Sequence, residues 1–148
     1  HLSLIILLLA GVDCNSLNND FYAASADDRL RASFLQCLQE KTNHSNSEKV
    51  YLGAAMTLMA SEYLNPYQKL KSFNSGTDMI DEGIAKDPRN GELRFVRYLI
   101  QSYSPSFLNY NNQLSEDLEV INANLNKAPL DLDWKQNYRS FKAATNSK

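Results

Sequence analysis

In the stretch RFVRYLI, residues 94 to 100, Arg94 and Arg97 stand three apart with Tyr98 beside them. On a helix this spacing puts both guanidiniums on one edge, while Leu93, Val96 and Ile100 turn the other way. Guanidinium forks hold carboxylates through paired hydrogen bonds, and Arg and Tyr anchor protein interfaces. The chemistry this edge could do is therefore recognition of an acidic peptide or protein. The plainer alternative, which is favoured, is that Arg94 and Arg97 pair with Asp78, Asp81 or Glu82 of the preceding helix.

Other residue types are less suited to chemistry. Past the first segment only His44 and Cys37 offer imidazole or thiol ligands, which excludes a zinc site. The carboxylate pairs Asp131/Asp133 and Glu116/Asp117 fall at expected helix starts, where acidic groups complement the helix dipole, so they are read as caps rather than calcium ligands or catalytic acids. Nucleophilic catalysis would have to use His44, which sits in the polar loop TNHS with nothing to bring it to Cys37. The NSGTD stretch lacks both the lysine and the preceding strand of a phosphate loop. No catalytic residue, cofactor or metal is expected.

A second place for ligand chemistry is a cleft lined by Met56, Met59, Tyr63 and Tyr98. A deep pocket of several hundred cubic ångströms with convergent polar groups would make the protein a small-ligand carrier or an enzyme. A shallow open groove would make it a protein-binding module.

The elements that must position these groups are helical. The chain has 148 residues, 43% hydrophobic, enough for one buried core and one domain. Five Gly and four Pro are few for a sandwich or barrel. With 15 basic and 17 acidic residues the net charge is −2, which gives no polycationic field for nucleic acid.

Residues 2 to 12, LSLIILLLAGV, are unbroken apolar sequence. The run is short of the roughly 20 residues a membrane helix needs, and suits the apolar region of a secretory signal. Residues 1–26 are accordingly expected to be a signal peptide and disordered leader, with residues 27–148 the folded domain and an extracytoplasmic bacterial location. LLAGVDC approaches a lipoprotein box at Cys14, and AASA, residues 23 to 26, has the small-x-small form of a cleavage site. Membrane association is expected only if Cys14 carries lipid. Cys37 falls on an apolar helix face, which favours a free buried thiol over pairing with Cys14.

Apolar spacing places six helices. The first follows a capping box at Ser25 and Asp28 and puts Leu30, Phe34, Cys37 and Leu38 on one face. The second, from a cap at Ser47, is apolar on two sides and must be central. Asn65-Pro66 opens a long third helix carrying Leu70, Phe73, Thr77, Ile80 and Ile84 on one face, and Asp87-Pro88 ends it. Asn90 caps the fourth. An aromatic loop, SPSFLNYNN, should fold Phe107, Leu108 and Tyr110 back on the helix ends. The fifth has Leu114, Leu118, Ile121 and Leu125 as its seam, and the sixth presents Trp134, Tyr138 and Phe141.

The segment GTDMIDEGIAKDPRN resembles the second helix of a tetratricopeptide repeat at Gly76, Ile80, Gly83 and Pro88, with Tyr51, Ala55 and Leu58 supplying the first helix. The unit is longer than the 34-residue repeat by about nine residues, and Tyr98 occupies a small-residue position of the next one. Together NPYQKL, IAKDPRNGELRFVRYLIQ and PSFLNY resemble an uncharacterised family of small bacterial proteins with tetratricopeptide-like (TPR-like) helices, over roughly residues 48 to 126. That resemblance implies a fold and an extracytoplasmic setting but no reaction. The expected whole is an all-α, antiparallel bundle or short TPR-like superhelix of about six helices, acting as a non-catalytic binding module for a protein or peptide through Arg94, Arg97, Tyr98, Tyr63 and Met56.

Overall fold

Asn65 and Pro66 open the longest helix as their types demand. The Asn65 side chain accepts from the backbone N–H of Tyr67 (2.9 Å) and Gln68 (3.3 Å), and Pro66 stands where no N–H is needed. In the computed structural model, which describes residues 12–146, this helix is α4, Pro66–Lys86. Before it come α1, Leu17–Ala26, α2, Arg31–Gln39, and α3, Asn46–Ala60; after it come α5, Gly91–Tyr103, α6, Leu114–Leu125, and α7, Asp133–Asn146. Two single 3₁₀ turns, Asp28–Leu30 and Ser106–Leu108, complete the described residues, and no strand is found among them. The architecture is an all-α helical bundle.

The core forms around α3, which touches α1, α2, α4 and α5. Val50, Tyr51, Ala54 and Ala55 are fully buried, and the second stripe of Leu52, Met56 and Met59 is half-buried, so the two-sided apolar pattern does mark a central helix. Helices α3 and α4 form an antiparallel hairpin of unusually close approach. At its crossing the backbones meet at Gly53 and Gly76, where a Cβ on Gly76 would run into the Gly53 carbonyl oxygen and lie 2.8 Å from Thr57 Cγ2. Gly83 is likewise covered by the Val50 side chain.

Three expectations change at the N-terminal side. The stretch 17–26, expected to be disordered leader, is α1, and its Phe21 and Ala24 are fully buried. Phe21 packs on Phe34 and edge-on to Tyr51 with ring centroids 5.9 Å apart, contacts that a polar reading of the segment underrates. The folded unit therefore starts upstream of residue 27, and α1 is the helix beyond the six expected. The apolar run proposed as a signal lies almost wholly in residues 1–11, outside the described residues. Ser25 is not a cap but lies in the last turn of α1, donating to the Tyr22 carbonyl; Asp27 caps the 3₁₀ turn instead.

Cys14 and Cys37 form a disulfide across a Cα separation of 6.0 Å. The free-thiol expectation fails because helix α1 returns the chain so that residue 14 lies beside α2. The cap of α3 is Ser45 rather than Ser47: Ser45 Oγ accepts from the Glu48 N–H (3.1 Å) while Glu48 accepts from the Ser45 N–H (2.8 Å), a complete capping box.

A polar ladder crosses four helices. Asn137 of α7 donates to Asn18 of α1 (2.8 Å), Asn18 donates to the Tyr51 phenol of α3 (2.9 Å), and that phenol donates to Glu92 of α5. Burial first, then the neighbouring Glu92 carboxylate, holds the Tyr51 hydroxyl protonated well above its ordinary range. Phe95 of α5 completes the closure against Tyr138 and Phe141 of α7.

Candidate functional site

Arg94, Arg97 and Gln101 recur at i, i+3 and i+7 on α5 and all turn toward α6 rather than to solvent. Opposite them Asp117 is fully buried. Its carboxylate accepts from Arg94 Nη1 (3.0 Å), Arg97 Nε (2.9 Å), Arg97 Nη2 (2.7 Å) and Gln101 Nε2 (2.7 Å). Arg94 also donates twice to the Pro88 carbonyl and reaches Glu116 at 3.1 Å. Arg97 Nη1 donates to Asp81 Oδ1 (3.1 Å), which accepts from the Tyr110 hydroxyl as well (3.0 Å). Burial alone would weaken the Arg97 charge, but the bonds and charge of Asp117 and Asp81 outweigh it and hold the guanidinium above its ordinary pKa. Burial and the adjacent Asp81 push the Tyr110 phenol up.

This arrangement decides what the arginine edge can do. At 5% and 6% exposure, and with their donors engaged internally, Arg94 and Arg97 have no face to offer a partner. The ion-pair alternative holds for Arg97 with Asp81, but the main partner is Asp117. Expected to be a cap, Asp117 is a buried counter-ion for two cations, and the start of α6 has no side-chain cap. The signal was present in the sequence: Asp117 lies three residues after Leu114 and four before Ile121, on the apolar seam, where an acid must find a buried partner.

The other expected site residues scatter. Tyr98 packs against Tyr138 (6.4 Å) and Phe141 (6.2 Å) of α7. Met56 and Met59 are half-buried on α3, and Tyr63 is half-buried in the turn after it. None of the four lines the large cavity at the helix ends.

That cavity, of about 640 Å³, opens where α3 ends, α4 begins and α5 stops. Pro105 ends α5, the turn Ser106–Leu108 follows, and Asn109 reverses the chain in the left-handed region at φ 56°. The chain thus folds over the α5 end without filling the space in front of Pro66. Leu58, Phe73 and Ile100 are buried and form the deep wall; Leu70, Tyr103 and Phe107 are exposed at the mouth. Phe107 was expected to fold back on the helices and instead stands 83% exposed, while Tyr110 does the packing, edge-on to Phe73 at 5.8 Å. Leu64, 97% exposed, in the α3–α4 connection, and Tyr67, in the first turn of α4, are further exposed apolar side chains. Pairings of this kind are invisible to periodicity, since the contributing residues come from the ends of five helices and a turn.

Among the described residues no three His, Cys, Asp or Glu side chains converge as metal ligands, and no helix is long and apolar enough to cross a membrane. His44 donates from Nε2 to the Leu38 carbonyl (2.7 Å), a structural tie at the end of α2. No family model, curated protein or solved structure matches the chain.

Proposed function

We propose that the protein is a non-catalytic binding protein whose site is the apolar cavity at the α3–α4–α5 corner, taking up an apolar small ligand. The observation that carries this reading is the cavity itself: about 640 Å³ lies well inside the range of roughly 300–1,000 Å³ typical of small-molecule sites, and its walls are predominantly apolar. The arginine edge does not support the peptide-clamp expectation, because its charges are consumed inside the fold. A protein partner remains a second reading for the exposed surface alone, favoured by the exposed side chains of Leu64, Tyr67 and Phe107.

The Cys14–Cys37 disulfide supports a working location in an oxidising, extracytoplasmic compartment. The α3–α4 hairpin, with Gly76 and Gly83 at its close approaches, supports reading it as a single tetratricopeptide-like unit built into a closed bundle.

The test is uptake of a neutral solvatochromic dye such as Nile red. The wild-type protein should bind it with an enhanced, blue-shifted emission. Leu70→Glu, which places a charge at the half-exposed mouth, should weaken binding at least tenfold at unchanged melting temperature. Met56→Ser, outside the lining of this cavity, should leave it unaltered. Equal binding by Leu70→Glu and wild type would remove the cavity from consideration.

A further inference from the structure

Two cations, Arg31 and Lys69, line the apolar cavity, and no carboxylate does. In a chain of net charge −2 this is a local bias against the overall sign. The two cations differ in what they have left to offer. Arg31 is fixed in place: Nε donates to the Ala24 carbonyl (2.9 Å), Nη2 to the Ser25 carbonyl (3.1 Å), and Nη1 to Ser61 Oγ (2.8 Å) and Glu62 (3.2 Å). Glu62 thus balances its charge, and its donors are engaged. Lys69 is exposed, directly precedes Leu70 at the mouth, and makes no ion pair among the described residues. The apolar wall therefore ends at an ammonium that no carboxylate pairs with among the described residues.

Resting on the reading that this cavity is the binding site, we propose that its ligand is a single-chain amphiphile with a carboxylate head. The chain lies along Leu58, Phe73 and Ile100, where removing methylenes from water provides most of the affinity. The head stays at the mouth, where it accepts a charge-assisted hydrogen bond from Lys69. A cationic head would meet Lys69 with no acid lining the cavity to receive it. A neutral hydroxyl head can accept a hydrogen bond from the ammonium but brings no opposite charge to it.

Calorimetric titration of the full chain with decanoate, decan-1-ol and decyltrimethylammonium, each below its micellar concentration, separates these terms. Decanoate should bind at least about tenfold more tightly than decyltrimethylammonium, with decan-1-ol between them. Shortening decanoate to octanoate should weaken binding by roughly tenfold, the value of two buried methylenes. Lys69→Gln, a change at an exposed side chain, should lower decanoate affinity to about that of decan-1-ol, erasing the gap between the two. Equal affinity for all three heads, or a carboxylate preference that survives Lys69→Gln, overturns the head-group assignment while the apolar site stands. Failure of all three amphiphiles to bind overturns both.

Discussion

Replacing Asp117 by Ala removes the one carboxylate that two buried guanidiniums share. The four bonds it accepts come from Arg94, twice from Arg97, and from Gln101, and the site is fully buried. Deleting one member of a buried ion pair costs about 3–5 kcal/mol because the remaining charge is left without compensation. The cost should stay in that range rather than double, since Arg97 keeps Asp81, and Arg94 keeps Glu116 and the Pro88 carbonyl. Chemical denaturation followed by circular dichroism would read the loss directly, and thermal melts should fall by about 6–20 °C, at roughly 2–4 °C per kcal/mol for a chain of this size. The converse variant, Asp117→Leu with Arg94→Met and Arg97→Met, removes all three charges together. It should recover most of the loss, because apolar replacements of buried ion clusters are commonly neutral or stabilising. The partly exposed Asp81 can turn to water in that variant. An Asp117→Ala protein within about 1 kcal/mol of wild type, or a triple variant less stable than the single one, would refute the account of Asp117 as a buried counter-ion.

The disulfide joins residues 23 apart, a loop whose closure restricts the unfolded chain by about 3 kcal/mol, so Cys14→Ser with Cys37→Ser should melt some 6–12 °C lower; a melt of the wild type that does not move on full reduction contradicts this. Glu48 is held at about 2, below its ordinary 4.5, first by the Lys41 ammonium 2.8 Å away and then by the Ser45 N–H. A carboxyl depressed in the folded state stabilises fully above pH 4.5, and the contribution drains away as pH falls toward about 2. The gap in melting temperature between wild type and Glu48→Gln should accordingly be open above pH 4.5 and close across that interval; a gap independent of pH would show that the ion pair contributes nothing.

Helix ends were legible where a residue type has a single structural use. Asn65-Pro66, Asp87-Pro88 and Asn90 set their boundaries because each acts on its own backbone. Faces were legible where apolar spacing is regular, as at Phe73, Ile80 and Ile84, whereas Leu70, expected on the same face, is exposed at the cavity mouth. What escaped depends on neighbours distant in sequence. A segment as polar as LNNDFYAASA becomes a core helix only because Phe21 finds Phe34 and Tyr51. Asp117 looked like a cap because its type is common at helix starts, and only its place on the seam betrays the partners it needs. The cavity was least legible, being a space left between chain turns rather than a property of any one helix. Its lining shares no residue with the cleft expected from Met56, Met59, Tyr63 and Tyr98.

The meeting of α1 with α7 has a consequence for how the domain comes apart. Units stacked in a line fray from their free ends, each losing only the contacts of one neighbour. Here Asn18 and Asn137, 119 residues apart, bond directly, and Asn18 passes the bond on to Tyr51. Peeling away α7 strips Phe95 of two aromatic partners and the ladder of its outer rung; peeling away α1 uncovers Phe34 and leaves Tyr51 without its donor. Either departure weakens the hold on the other, so loss of one end helix promotes loss of its counterpart. The cavity reaches the same closure, since Ser25 of α1 lines it and Tyr103 at its mouth packs edge-on to Phe141 of α7 at 5.9 Å, so a change in its contents is felt at both end helices.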